Sequence, residues 1–312
     1  MTEYSASAPG KFVILGEHAV VYGKPAIALA IDRRISVSVR RCGDLRVNGE
    51  AADPGSNPHM KHILDRHGMA GAAVRTDSRI PPGSGLGSSA ALSAAFSSAV
   101  RGLNGMSQDP SEIAREAFEA EHYAQGRGSP MDTSASVHGK GVALNIPGGD
   151  ALWDIDRDGR SWRVTGIEAP EMTFVVGYTG IRAATGPMVE RVRRYKEGNG
   201  FAADVIDEIG SLTLDGMSRV LKNDVAGLGP LMTRNHRLLA ILGVSCRELD
   251  KLVEASLPHS YGAKLTGSGG GGSMVALTDD PEGVCRAISA RGGAPFVVRT
   301  GERGVSAGPP VR

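Results

Sequence analysis

Cysteine is scarce in this chain of 312 residues. Cys42, Cys246 and Cys285 are odd in number, far apart and without a CxxC pair, which argues against a disulfide framework and a thiolate zinc cluster. Aromatic residues make up only 4% and the formal net charge is +1, so a nucleic-acid surface of stacking rings and basic side chains is disfavoured. No uncharged apolar run approaches the roughly 20 residues that span a bilayer. The start, Met1-Thr2-Glu3-Tyr4, has neither the basic nor the apolar stretch of an export signal. The expectation is a soluble, cytoplasmic protein without a membrane partner. With 41% apolar and 22% charged residues the chain can build a sizeable core. Its length suits one large domain or two ordinary ones.

Glycine is in excess: 43 residues, about twice the usual share, gathered in a few clusters. Between the clusters, short strand patterns alternate with helix patterns. Residues 12–15 form an apolar run closed by Gly16, and 35–41 alternate apolar and polar as a half-buried strand does. Residues 45–49 are expected to pair with 35–41 as a hairpin. Helices are expected over 88–103 and 110–125, and a strand over 142–146. Residues 172–178 read as a buried strand. Helices follow from 185 to about 257, with breaks at 198–200, 227–230 and Gly243. Strand, helix and strand then occupy 273–277, 281–291 and 294–299. The pattern is α+β in two domains, 1–168 and 169–312.

Four segments carry possible chemistry. In 80–91, IPPGSGLGSSAA, Gly83, Gly85 and Gly87 fall within five residues just before a helix. Such a loop can turn its N–H groups towards a phosphate at the helix N-terminus, and Ser88 or Ser89 can cap that helix or ligate a metal. No Lys follows the glycines, so this is not a Walker loop; a plain serine-capped turn is the alternative. In 264–273, KLTGSGGGGS, the residues Gly267, Gly269 and Gly272 fit GxGxxG, but the segment precedes a strand, which excludes a dinucleotide fingerprint. A backbone closing on a ligand and a flexible loop both remain open.

The third segment is 121–132, EHYAQGRGSPMD. Ser129-Pro130 reads as an N-cap and first helical residue, which places Asp132 at the third position. Asp132 is either a cap or a reactive carboxylate. Glu121 by itself reads as an ordinary helix-face residue. The fourth segment, 7–30, sets Lys11, Glu17 and His18 into apolar sequence around Gly16, where charges need partners.

Together these segments resemble the GHMP kinases in order and over nearly the whole chain, and APGKFVILGEHAVVYGKPAIALAI and RGSPMDTSAS resemble the archaeal mevalonate kinase branch. The resemblance implies an N-terminal mixed-sheet domain, a ferredoxin-like C-terminal α/β domain and a cleft between them for ATP and acceptor. It implies that Pro81, Pro82, Gly83, Ser84, Gly85, Leu86, Gly87, Ser88, Ser89, Ala90 and Ala91 wrap the ATP phosphates. Gly267, Gly269 and Gly270 of the third motif would support them. Ser89 and Glu121 would ligate Mg²⁺, Asp132 would be the catalytic base, and Lys11 would lie beside it. Glu17, His18 and Thr185 would contact the acceptor, mevalonate, with Arg182 facing its carboxylate. A homodimer is implied as well. Many relatives carry His-Gly-Asn-Pro-Ser-Gly before the base, whereas this chain has Gln125-Gly126-Arg127-Gly128-Ser129-Pro130, which bears on fine specificity. Another small-molecule kinase of the superfamily, such as a phosphomevalonate kinase, and a non-catalytic metabolite sensor on the same fold are the alternatives. The intact Lys11, Ser89, Glu121 and Asp132 argue against the sensor.

Overall fold

The computed structural model of the chain describes residues 2–308 apart from 127, 147, 149, 150, 158 and 184. Its first half is built on two long antiparallel strands, β1 (Glu3–Leu15) and β2 (Ala26–Arg41). The small and aliphatic run at the start of β2 is buried at every position, as in a strand covered on both faces. One side of β2 pairs with β1. Its other side meets β6 (Gly141–Leu144) with its first part and β5 (Ala72–Ser78) with its second. Beyond β5 lie β3 (Arg46–Val47) and β4 (Glu50–Ala51). Beyond β6 lie β8 (Arg160–Ile167) and β7 (Ala151–Arg157). The chain's last described strand, β13 (Ser306–Gly308), returns to pair with β1.

Four helices pack in this half: α1 (Pro58–Arg66), α2 (Ser88–Leu103), α3 (Pro110–Gln125) and α4 (Met131–His138). The buried residues of α2 are mostly Ala and Ser, so it lies close against β1 and β2. Sharp ends fix α3: Asp109 accepts from the Glu112 amide, Pro110 opens the helix, and Gly126 closes it in the left-handed region.

The second half carries β9 (Thr173–Tyr178), β10 (Gly262–Thr266), β11 (Ser273–Leu277) and β12 (Ala294–Arg299). They form an antiparallel sheet in the ferredoxin-like order β10-β11-β9-β12. Between β9 and β10 run α5 (Thr185–Gly198), α6 (Gly200–Leu221), α7 (Val225–Ile241) and α8 (Arg247–Ser256), while α9 (Pro281–Ala290) joins β11 to β12. The two sheets share buried apolar contacts. Phe12 of β1 meets Phe174 of β9 edge to face at 4.8 Å between centroids. That geometry is worth about 0.5–1.5 kcal/mol beyond the area buried. Among the described residues no helix is long and apolar enough to cross a membrane.

Two expectations are corrected. Residues 45–49 do not form a hairpin with 35–41: β3 runs parallel to β5, and β5 takes the place beside β2. The bulky period-two residues of β2 find a longer partner in β5 than two residues of β3 could offer. The glycines and proline at 227–230 do not end a helix either, because Pro230 lies inside α7. The helix starts at Val225, so the carbonyl that Pro230 leaves without its helical donor is that of Ala226, within the first turn. The break falls instead at 222–224, where Asn223 has φ 52° and Asp224 caps α7 by accepting from the Gly227 amide.

Candidate active site

A cleft of about 600 Å³ lies where the end of β1, the 81–87 loop, the start of α4, the start of α5 and the β10–β11 loop converge. Its size suits a small-molecule site. A hollow of about 790 Å³ beside α2 and α3 is larger, but its buried charges are already spent: Arg101 holds Glu112 and Glu116, and Glu116 also bonds His67.

The 81–87 loop is shaped by glycine. Gly83, Gly85 and Gly87 have φ of 71°, 80° and 73°, the left-handed region that L side chains avoid. The loop is pressed onto β1, where the Lys11 amide donates to the Leu86 carbonyl at 3.0 Å. Gly87 is the N-cap of α2, and no side chain caps the helix. Neither Ser88 nor Ser89 fills that role, which leaves the first-turn N–H groups of a 16-residue helix turned to the loop.

Lys11 is 3% exposed and its Nζ reaches the Asp132 carboxylate at 2.9 Å. Its stem lies over Gly87: a Cβ there would sit 2.8 Å from Lys11 Cε. Asp132 belongs to α4 but does not cap it. The N-cap is Pro130, without a side-chain cap bond, so Asp132 is the second helical residue and not the third. The expected Ser129 cap is thereby corrected: the chain enters the helix one residue later than Ser129-Pro130 suggested. Arg127 lies outside the described residues.

Ser89 and Glu121 come together from α2 and α3, with Ser89 Oγ donating to Glu121 Oε1 at 2.5 Å. Ser93 donates to the same oxygen at 3.0 Å, and Gln125 donates to Oε2 at 2.6 Å. His59 of α1 completes the group, with Nε2 3.1 Å from Glu121 Oε1 and 3.0 Å from Ser89 Oγ. Burial alone would raise the Glu121 carboxyl, but the His59, Ser89 and Ser93 bonds together outweigh it and hold it below the usual range. A hydroxyl and a carboxylate are hard donors, suited to a magnesium-sized cation that keeps water and phosphate oxygens as its other ligands. Among the described residues no cluster of three or more His, Cys, Asp or Glu offers a fuller cage.

Gly16 makes the bend after β1, with φ 97°. A Cβ there would lie 2.4 Å from the Pro25 carbonyl oxygen. The bend delivers Glu17 and His18 to the cleft, but both are already engaged. Glu17 is bonded by Lys264 of β10 and, through its second oxygen, by Asn235 of α7 at 3.0 Å. His18 Nε2 meets the Ser268 carbonyl at 2.9 Å. Burial pushes the His18 imidazole down against that bond, so the neutral ring donates. Arg182 lines the cleft from the β9–α5 connection and Thr185 from the start of α5, while Gly267 and Ser268 line it from the β10–β11 loop. Pro82, Ala91, Gly269 and Gly270 do not. Gly269 packs under Val244 and Gly270 under Met188, so they shape the loop from behind.

His59, Asn235, Arg160 and Trp162 belong to this region although no motif pointed to them, and Lys264 belongs to it although only the glycines of its segment were given a role. For Lys264 a signal existed: a lone cation between Ala263 and Leu265, next to the third glycine cluster, must find a partner if it is buried. His59 gave none, since a histidine one residue into a short helix is most often on the surface.

The model of the GHMP kinases N terminal domain matches residues 58–140, and that of the GHMP kinases C terminal matches 217–294. A mevalonate kinase of Methanothermobacter thermautotrophicus is 37% identical over 287 residues, covering 87% of this chain and 89% of the relative. One of Thermococcus sibiricus is 33% identical over 343 aligned positions, covering 96% and 97%. The crystal structure of L. major mevalonate kinase with R-mevalonate superposes with a TM-score of 0.82 at 25% identity, covering 94% of each chain. The chain belongs to the GHMP kinases, in the mevalonate kinase family.

Proposed function

We propose that the chain transfers the terminal phosphoryl group of ATP to the primary 5-hydroxyl of mevalonate, releasing ADP and 5-phosphomevalonate. The observation that carries this reading is the Lys11–Asp132 pair, set in the cleft beside an uncapped helix N-terminus and a glycine loop. The relatives named above support mevalonate as acceptor. A coupled ADP-release assay with mevalonate, phosphomevalonate, homoserine and galactose tests it. Mevalonate is expected to give the highest kcat/KM, and a tenfold preference for another acceptor would overturn the assignment.

Phosphoryl transfer needs positioning and charge neutralisation more than covalent chemistry. The 81–87 loop and the first turn of α2 hold the phosphates with N–H donors and the positive end of the helix. Asp132 takes the hydroxyl proton as the oxygen attacks, or orients that hydroxyl if bond breaking runs ahead. Lys11 keeps the carboxylate aimed and adds positive charge where phosphate charge develops. Arg182 and Thr185 receive the acceptor's polar end. Ser89 and Glu121 would hold Mg²⁺, which supplies charge neutralisation on the outer phosphates when bound. His59 keeps the Glu121 carboxylate turned towards Ser89.

Activity is expected to vanish in EDTA and return with Mg²⁺. Glu121→Gln, which keeps the shape but not the charge, should raise the Mg²⁺ concentration for half activation at least about tenfold, or ~1.4 kcal/mol. An unchanged Mg²⁺ requirement in a folded variant would remove Glu121 from the metal site.

His18→Ala is expected to raise the KM for mevalonate by about tenfold while the KM for ATP stays within about twofold, the signature of a contact to one ligand. Equal losses for both ligands, or a lost circular dichroism spectrum, would make His18 a purely structural residue.

A further inference from the structure

Lys264 is fully buried, yet it is a cation in the middle of β10. Its ammonium has three hydrogens and three acceptors: the Glu17 carboxylate, the Val13 carbonyl at 3.3 Å and the Leu265 carbonyl at 2.6 Å. Glu17 is closed from its other side by Nδ2 of Asn235, and Asn235 Oδ1 is buried without a hydrogen-bond partner among the described residues. The amide therefore leaves one acceptor unmet while it serves the carboxylate. Beside this group Thr266 bonds both the amide and the carbonyl of Val13, at 3.2 and 3.1 Å, and His18 reaches the Ser268 carbonyl. Apart from the Lys264–Leu265 bond within β10 and the Asn235 bond from α7, these contacts cross from the end of β1 and its bend to β10 and the third glycine loop.

Stability alone does not call for such a pair. A well-packed apolar replacement of a buried ion pair is often neutral or stabilising, whereas removal of one partner is costly. Aliphatic residues surround this seam in both sheets and would join them as well. What the charges add is direction. A carboxylate held from both oxygens fixes the bend at Gly16, and the next residue, His18, lines the cleft.

We propose that Lys264 is a positioning residue for the acceptor half of the site: through Glu17 it fixes the 16–18 bend against the third glycine loop, so that acceptor and nucleotide loops are set as one unit. This rests on the phosphotransfer reading above.

The test compares Glu17→Gln, Lys264→Met and the double variant with the wild-type chain, using mevalonate and ATP as substrates and circular dichroism melting as the check of folding. Lys264→Met alone strands a buried carboxylate, whereas the double variant leaves a neutral pair. The double variant is expected to melt cooperatively, with the KM for mevalonate raised about tenfold or more and not exceeding the larger of the two single effects. A folded double variant with KM and kcat within twofold of wild type overturns the proposal. So does a KM effect equal to the product of the single effects, which would mean that Lys264 acts without Glu17. If the double variant does not fold, the single variant Glu17→Gln decides. It keeps the size of the side chain and removes the charge that Lys264 holds, so the KM for mevalonate should rise at least threefold in the folded variant, and no change overturns the proposal. A wild-type chain inactive on mevalonate would strike the functional reading instead.

Discussion

Asp132→Asn is expected to leave a folded, ATP-binding protein whose turnover is lower by at least about two decades, within the 10² to 10⁴ range of a lost general base. The structure sharpens this expectation, because the other role open to the residue is excluded by geometry. Among the described residues Asp132 caps nothing: α4 begins after Pro130, where no side-chain cap bond is made. The side chain is 47% exposed, and its carboxylate meets Lys11 Nζ at 2.9 Å. An amide of the same size therefore costs little folding energy, and the melting temperature should change by only a few degrees. Lys11→Met should lower turnover as well. If the pair works as one unit, the double variant will be little worse than the more damaged single one. Asp132→Asn within threefold of wild-type turnover would refute the assignment.

How far the sequence reaches can be seen residue by residue. The limits of α2 and α3 are legible because local chemistry writes them: Asp109-Pro110 opens α3 and Gly126 closes it. The glycine loop is legible for the same reason, since three glycines in five residues announce positive φ. Pro230 misleads because its cost depends on where the helix begins, and Asp224 sets that beginning at Val225, ahead of the glycines and proline that suggested a break. Glu121 is opaque in isolation. Only its convergence with Ser89, Ser93 and His59, from three helices, gives a buried carboxylate a purpose. Lys11 and Asp132 stand 121 residues apart, and family resemblance, not spacing, joined them in the sequence. Lys264 with Glu17 shows the remainder: a tertiary ion pair leaves no periodic trace. A lone buried cation says that it has a partner but not which one.

Two glycines of one loop offer a sharper test, because they share a backbone strain and differ in what lies above them. Gly87→Ala and Gly85→Ala each place a Cβ at positive φ, 73° and 80°, at a cost of about 1–2 kcal/mol. Both should lower the melting temperature by a few degrees. At Gly85 the nearest atom is the Thr266 carbonyl oxygen at 3.8 Å, an ordinary contact. At Gly87 the new methyl meets Lys11 Cε at 2.8 Å and Cγ at 3.0 Å. The backbone there is held by the helix, so the flexible lysine yields and its ammonium swings off Asp132. A displacement of about 1 Å in a phosphotransfer site can cost on the order of 10² in rate. Gly87→Ala is therefore expected to lower kcat about a hundredfold, whereas Gly85→Ala stays within about tenfold and shows its loss in the KM for ATP. Steady-state kinetics on the two folded variants settle the point. Equal kcat losses would mean that loop strain, not the seat of Lys11, is what these glycines protect.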